Sequence, residues 1–164
     1  FINISTTIIR KNALDNLNQW FDSRFDHIEE YDLFLRLAFT WQLDYLDEPL
    51  SKYRYHKESQ SYLYPERAPA ETEKMLFKFL KLYPGFKKLY PKGYLELSYY
   101  INYYYLLIDW KNGSNEFARN RLKPFFTKKK RSIIIYFLSF LPYAFFEYLN
   151  VFFNKYIRRR VVNY

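Results

Sequence analysis

The sequence predicts an α/β unit over residues 1–61 followed by an all-α tail, so that the chain is mostly helical by residue count. Three observations carry this. A β-branched, alternating run opens the chain at residues 1–10, and two short extended runs, QLDYL and LSKYRYH, close its first third. Between the extended runs, and again from residue 71 onward, apolar residues recur at helical spacing. Hydrophobic residues make up 49% of the 164, enough to build a core, and the absence of cysteine removes disulfides and thiolate metal sites from consideration.

In chain order, residues 1–10 read as a strand whose Ser5, Thr6 and Thr7 are small enough to line a pocket. Residues 11–20 read as a short helix with Ala13, Leu14 and Leu17 facing inward. A second helix starts near Ile28: Asp26 stands at an N-cap position, Glu29 three residues on completes a capping-box spacing, and Leu33, Leu37 and Trp41 form an i, i+4, i+8 stripe. Asp47-Glu48-Pro49 then turns the chain between the two extended runs. On the second of these, alternation puts Arg54 and His56 on one face and Tyr53 and Tyr55 on the other. Pro65 and Pro69 mark residues 62–70 as a linker. Beyond it, residues 71–82 form an amphipathic helix with Met75, Leu76, Phe79 and Leu80 on one face. Residues 94–110 form an aromatic helix that Asn112-Gly113 ends, and residues 115–126 a third. The boundaries that follow are 1–61, a helical extension over 62–127, and a basic and apolar segment over 128–164.

The candidate chemistry lies in FDHIEEYDLFLRLA, residues 25–38, where Asp26, Glu29, Glu30 and Asp32 precede an apolar run containing Arg36. Asp32 and Arg36 are four apart and can pair along the helix, and the helix dipole favours carboxylates in the first turn. On helix physics alone such acids read first as caps and solubilising charges, and second as an oriented general base.

Taken together, NISTTIIRKNAL, QWFDSRFDHIEEYDLFLRLA and LDEPLSKYRYHKESQS resemble, in that order, the C-terminal part of the catalytic domain of family-2 glycosyltransferases, which are GT-A, Rossmann-like nucleotide-sugar transferases. The resemblance covers roughly residues 1–61. It implies an inverting transfer of a sugar from a nucleotide-sugar donor to a hydroxyl of a glycan or lipid-linked acceptor, in bacterial surface polysaccharide or glycolipid synthesis. The family's catalytic base, the second acid of its Glu-Asp pair, falls on Glu30, with Glu29 in the first position, Asp32 as the following acid and Arg36 one turn later. Arg54 and His56 match the closing Tyr-Arg-x-His, which implies contact with the diphosphate and, for His56, with a divalent metal, Mn or Mg. Two departures stand out: Trp20 replaces the usual glycine before Phe21-Asp22, and Glu30 replaces an aspartate, which leaves the choice of base between Glu29 and Glu30 open. The family's Asp-x-Asp metal motif occurs nowhere in the chain. The main metal ligands are thus expected outside it, and the chain is expected to be a C-terminal portion, inactive alone.

Charge concentrates in the tail: residues 119–160 hold eleven Lys or Arg and one acid, Glu147, which accounts for the whole net charge of +9. Lys128 to Arg131 and Arg158 to Arg160 flank an apolar segment that approaches the roughly 20 residues needed to span a bilayer. Pro142, Glu147 and Asn150 argue against a span. After Pro142, Phe145, Leu149, Phe152, Phe153 and Tyr156 line one helical face, the pattern of a peripheral or monotopic interfacial helix on an anionic membrane surface; the family resemblance implies that this surface is the cytoplasmic face of the plasma membrane. The chain carries no helix-turn-helix, zinc-ligand or RNA-recognition signature, so nucleic acid is not an expected partner. A non-catalytic helical module at the membrane is the alternative.

Overall fold

The structure, a computed structural model, describes residues 2–52, 54, 56, 58 and 63–156. It divides into two compact units, residues 1–84 and 85–164. Among the described residues there is helix and no strand, which corrects the expected α/β, Rossmann-like character of the first third.

The physical reason is visible in the backbone hydrogen bonds. A β-branched run becomes a strand only where a neighbouring strand takes up its N–H and C=O groups. At the start of the chain those groups turn inward instead: Asn3 caps a 3₁₀ turn, Ile4–Thr6, through its Oδ1, which accepts the Ser5 amide at 2.9 Å. The Thr6 and Thr7 hydroxyls donate to the Asn3 carbonyl, so they close a local turn and do not line a pocket. Ile8 is 99% exposed, the opposite of a core strand residue. Residues 42–50 are likewise irregular and exposed, Leu43, Tyr45 and Leu46 among them. Tyr53 and Tyr55, on which half of the expected alternation rested, lie outside the described residues.

Among the described residues, three α-helices carry the packing of the first unit. Helix α1, Lys11–Asp15, is shorter than its apolar pattern suggested, because Asn16 turns its side-chain amide back to the Asn12 carbonyl at 2.9 Å and competes with the next helical turn. Helix α2, Glu29–Ala38, buries Leu33 and Leu37 against Ala13, with Ile9, Leu14, Leu17 and Trp41 packed around them, so the predicted stripe is the observed one. Helix α3, Arg67–Leu82, begins four residues before the expected start. Pro69 sits inside its first turn, where the missing N–H has no helical acceptor, and is buried there; it starts a helix and does not belong to a linker. Met75, Leu76 and Phe79 form the buried face of α3, and Phe39 at the end of α2 stacks on Tyr83 with ring centroids 3.7 Å apart.

In the second unit, helix α4, Phe86–Leu89, precedes helix α5, Pro91–Lys111, which has its proline at the first position. A Schellman motif ends α5. Gly113 adopts φ +80, its amide reaches the Trp110 carbonyl, and the Ser114 amide reaches back to Asp109 at 2.8 Å. Helix α6, Asn115–Asn120, gives way to a 3₁₀ turn, Lys123–Phe125, since Pro124 cannot donate to a continuing helix; the single helix expected over 115–126 is therefore two pieces. Helix α7, Lys130–Leu138, and helix α8, Tyr143–Tyr156, follow on either side of Pro142. Leu106, Trp110, Ala118, Leu122, Ile135 and Phe146 make the core of this unit. The Trp110 indole N–H donates to the Leu141 carbonyl at 2.9 Å, tying α5 to the turn between α7 and α8. Beside the core, Arg121 pairs with Asp109 at 2.9 Å and lies over the Tyr105 and Phe117 rings. Phe146, not Phe145, is the buried aromatic of α8; Phe145 faces out, Leu149 is half-buried, and the side chains of Phe152, Phe153 and Tyr156 and residues 158–160 lie outside the described set.

Leu122 is fully buried and Ile133 is on the surface, so the two report on the same unit with opposite weight. Leu122→Ala is expected to lower unfolding stability by about 2–5 kcal/mol, and Ile133→Ala to change it by less than about 0.5 kcal/mol. Urea denaturation followed by far-ultraviolet circular dichroism distinguishes the two.

Candidate functional site

The head of α2 carries the acids that the sequence singled out. Its N-cap is Ile28, which has no side chain to offer the first amides, and Glu29, Glu30 and Asp32 occupy the first turn. The expected capping box between Asp26 and Glu29 does not form. A carboxylate from 45 residues away does that work: Glu71 of α3, itself buried, accepts the Asp26 amide at 3.1 Å and the His27 amide at 2.9 Å through one oxygen. The loop entering α2 is therefore held by a charge-assisted pair of hydrogen bonds from a different helix.

Beneath it lies a buried ion network. Asp32 is fully buried, with one oxygen 2.9 Å from Arg36 Nε and the other 2.6 Å from Lys78 Nζ. The same ammonium reaches Asp22 at 2.9 Å. Asp22 also takes Arg24 Nε at 2.8 Å, Nη2 at 2.5 Å and the Arg24 amide at 3.2 Å. The Arg24 side chain beside it, and Lys78 behind, hold the Asp22 carboxyl well below the usual carboxylate range against the opposing effect of burial. The remaining nitrogens of Arg36 donate to the Gln19 carbonyl at 2.7 Å and the Trp20 carbonyl at 2.6 Å. Every described non-glycine residue has negative φ, Trp20 included, so a side chain at this position strains nothing, and Trp20 contributes its carbonyl while its ring is half exposed.

Asp32 and Arg36 are thus engaged in holding α2 in place. Glu29 and Glu30 differ from them. Both are half-buried at the helix head. Burial pushes the Glu30 carboxyl above its ordinary value, its own amide opposing and the neighbouring Glu29 charge adding to the rise. One Glu29 oxygen, Oε2, is buried without a hydrogen-bond partner, as is His27 Nε2, whose ring meets the edge of Tyr64 at 6.4 Å. Buried polar atoms of this kind are uncommon. Tyr31, next along, is also shifted upward, by burial first and then by Glu30.

Arg54 and His56 are exposed on the irregular segment after residue 42, and the strand that would align them is absent among the described residues. Among the described residues no three His, Asp or Glu side chains come together to hold an ion. Compared with known proteins, the chain matches no family model, no curated protein and no solved structure.

Sequence reasoning missed Glu71, Lys78 and the second role of Asp22. A signal was present. Glu71, Met75, Lys78 and Leu82 fall at i, i+4, i+7 and i+11 of one helix, so two charged residues share a stripe with buried Met75 and need partners there. Lys78→Met is expected to lower stability by about 3 kcal/mol, because it leaves buried carboxylates short of a counter-charge. Asp22→Asn supplies the pH test. The Asp22 pKa is lowered by folding, so its contribution is complete above the unfolded value of about 4 and is lost as pH falls towards the folded value. The difference in urea midpoint between wild type and Asp22→Asn should be constant near neutrality and shrink on acidification below about pH 4.

Proposed function

We propose that this chain supplies the base-bearing part of an inverting glycosyltransferase that moves a sugar from a nucleotide-sugar donor to a hydroxyl of a glycan or lipid-linked acceptor. The observation that carries the reading is Glu30: a carboxyl at a rigidly held helix head, raised by burial, with no cation pairing it among the described residues. The order of motifs across residues 1–61 supports the same reading.

In such a transfer the acceptor hydroxyl gives its proton to Glu30 as its oxygen bonds to the anomeric carbon, and the bond to the departing diphosphate breaks on the opposite side, inverting the centre. A raised pKa makes a carboxylate a stronger acceptor of that proton. Burial keeps Glu30 raised, and the neighbouring Glu29 charge adds to it. Asp32, Arg36 and Lys78 act as positioning residues by fixing the helix. Arg54 and His56 are assigned to the diphosphate side. The nucleotide-binding element and the ligands of a divalent ion, which would neutralise the leaving group, come from beyond these residues. Surface polysaccharide or glycolipid synthesis at the cytoplasmic face of a bacterial membrane is the assigned setting. The wholly helical character of the described residues favours a second reading, a non-catalytic interaction module.

Transfer is to be measured with the protein in its natural sequence context and its membranes, across a panel of nucleotide sugars with Mn or Mg. Glu30→Gln is expected to lower the rate about 10²–10⁴-fold with circular dichroism unchanged, and Glu29→Gln to lower it less. Because Glu30 must be ionised to act and its pKa is raised, the wild-type rate should fall with acid at a pH above the ordinary glutamate range. Near-normal turnover by Glu30→Gln removes it as the base. Absence of transfer from every donor in the wild type leaves the interaction module.

A further inference from the structure

The second unit turns an apolar face outward on both of its last helices. On α7 and the turn after it, Ser132, Ile135 and Ser139 are buried, while Ile134, Phe137 and Leu141 are exposed at 59%, 64% and 41% on the opposite side. On α8 the buried residue is Phe146, and Phe145, Tyr148 and Val151 are exposed. Phe140, beside Leu141 in the turn, is also exposed, with the Arg119 guanidinium over one side of its ring. These are not scattered surface residues: positions 134 and 137 of α7, and 145, 148 and 151 of α8, follow helical spacing, with Leu141 in the turn between the helices.

Charge says what covers this face. The exposed stripe of α7 begins with Lys130, one turn before Ile134, and Lys128 is exposed just ahead of the helix. The other two cations of the cluster are occupied within the unit, Lys129 with Glu96 and the Tyr99 ring, Arg131 above the Tyr103 ring. Within residues 133–151 the sequence holds a single charge, Glu147. No helix among the described residues is long and apolar enough to cross a membrane. Aromatic and aliphatic side chains on one face, lysines at its edge and insufficient length to span are the properties of a helix that lies in a lipid–water interface.

We propose that the outer face of α7 and α8, centred on Phe137, Phe140 and Tyr148, inserts into the surface of an anionic bilayer, with Lys128 and Lys130 at the level of the headgroups. The face differs from the one that periodicity alone suggested, since Phe146 turns inward onto Trp110. The inference is independent of sugar transfer and requires neither donor nor metal.

The test is vesicle flotation of the whole chain with phosphatidylcholine vesicles containing or lacking phosphatidylglycerol, an anionic lipid whose surface potential attracts basic segments. The protein is expected to float with the anionic vesicles, less with the neutral ones, and less again as salt rises. Lys128→Gln with Lys130→Gln should reduce partitioning about 25-fold, at about fivefold per charge. Phe137→Ser with Phe140→Ser and Tyr148→Ser should abolish it while circular dichroism stays unchanged. Should that triple variant misfold, Phe140→Trp gives the same answer: its fluorescence is expected to be quenched by brominated acyl chains. Failure to float with anionic vesicles, flotation of a folded triple variant like wild type, or an unquenched Trp at position 140 each overturns the proposal. So does a lipid-free dimer that the triple variant dissociates, which would assign the face to a second copy of the chain.

Discussion

A single ammonium group holds the first unit together. Lys78 Nζ lies between Asp22 and Asp32, at 2.9 and 2.6 Å, and its side chain is largely shielded from water. Two carboxylates placed this close without a cation would repel each other in a medium that screens poorly. With it, they connect three stretches of chain: the loop before α2, α2 itself and α3. Arg36 extends the network to the carbonyls of Gln19 and Trp20, and Glu71 completes it at the loop amides. The half-buried Glu29 and Glu30 owe their fixed position to this arrangement, and the upward shift of Glu30 follows from the same burial.

Parts of this were legible in the sequence, and the parts that were not share a cause. The Leu33, Leu37, Trp41 stripe and the Asp32–Arg36 pair are local, set by a helical repeat that needs no knowledge of the rest of the chain. The Asn112-Gly113 stop is local too, because a left-handed φ is a property of glycine itself. Glu71 and Lys78 act on residues 44 to 56 positions away, and no local pattern gives their partners. The strand expectation failed for the complementary reason. A β-branched run states a preference for a pleated, half-buried surface, and that preference is realised only beside another strand; with none, residues 1–10 curl into a capped turn and Ile8 faces solvent.

The second unit obeys a different economy of polar groups. Its core is aromatic and aliphatic, and its two buried serines satisfy themselves within their own helix, Ser132 on the Lys129 carbonyl and Ser139 on that of Tyr136. Cations there lie over rings more than against carboxylates: Arg119 over Phe140 and Arg121 over Tyr105. One unit thus depends on ionised acids, the other on aromatic contact.

The distance along the chain between Asp32 and Lys78, 46 residues, also has a meaning in time. At ribosomal rates of about 5–20 residues per second, the acid leaves synthesis roughly 2–9 s before its lysine. Helix α2 has only ten residues, too few to hold alone in water. For those seconds its acidic head has neither the cation nor the Glu71 clasp, and the site becomes a fixed shape only when α3 arrives.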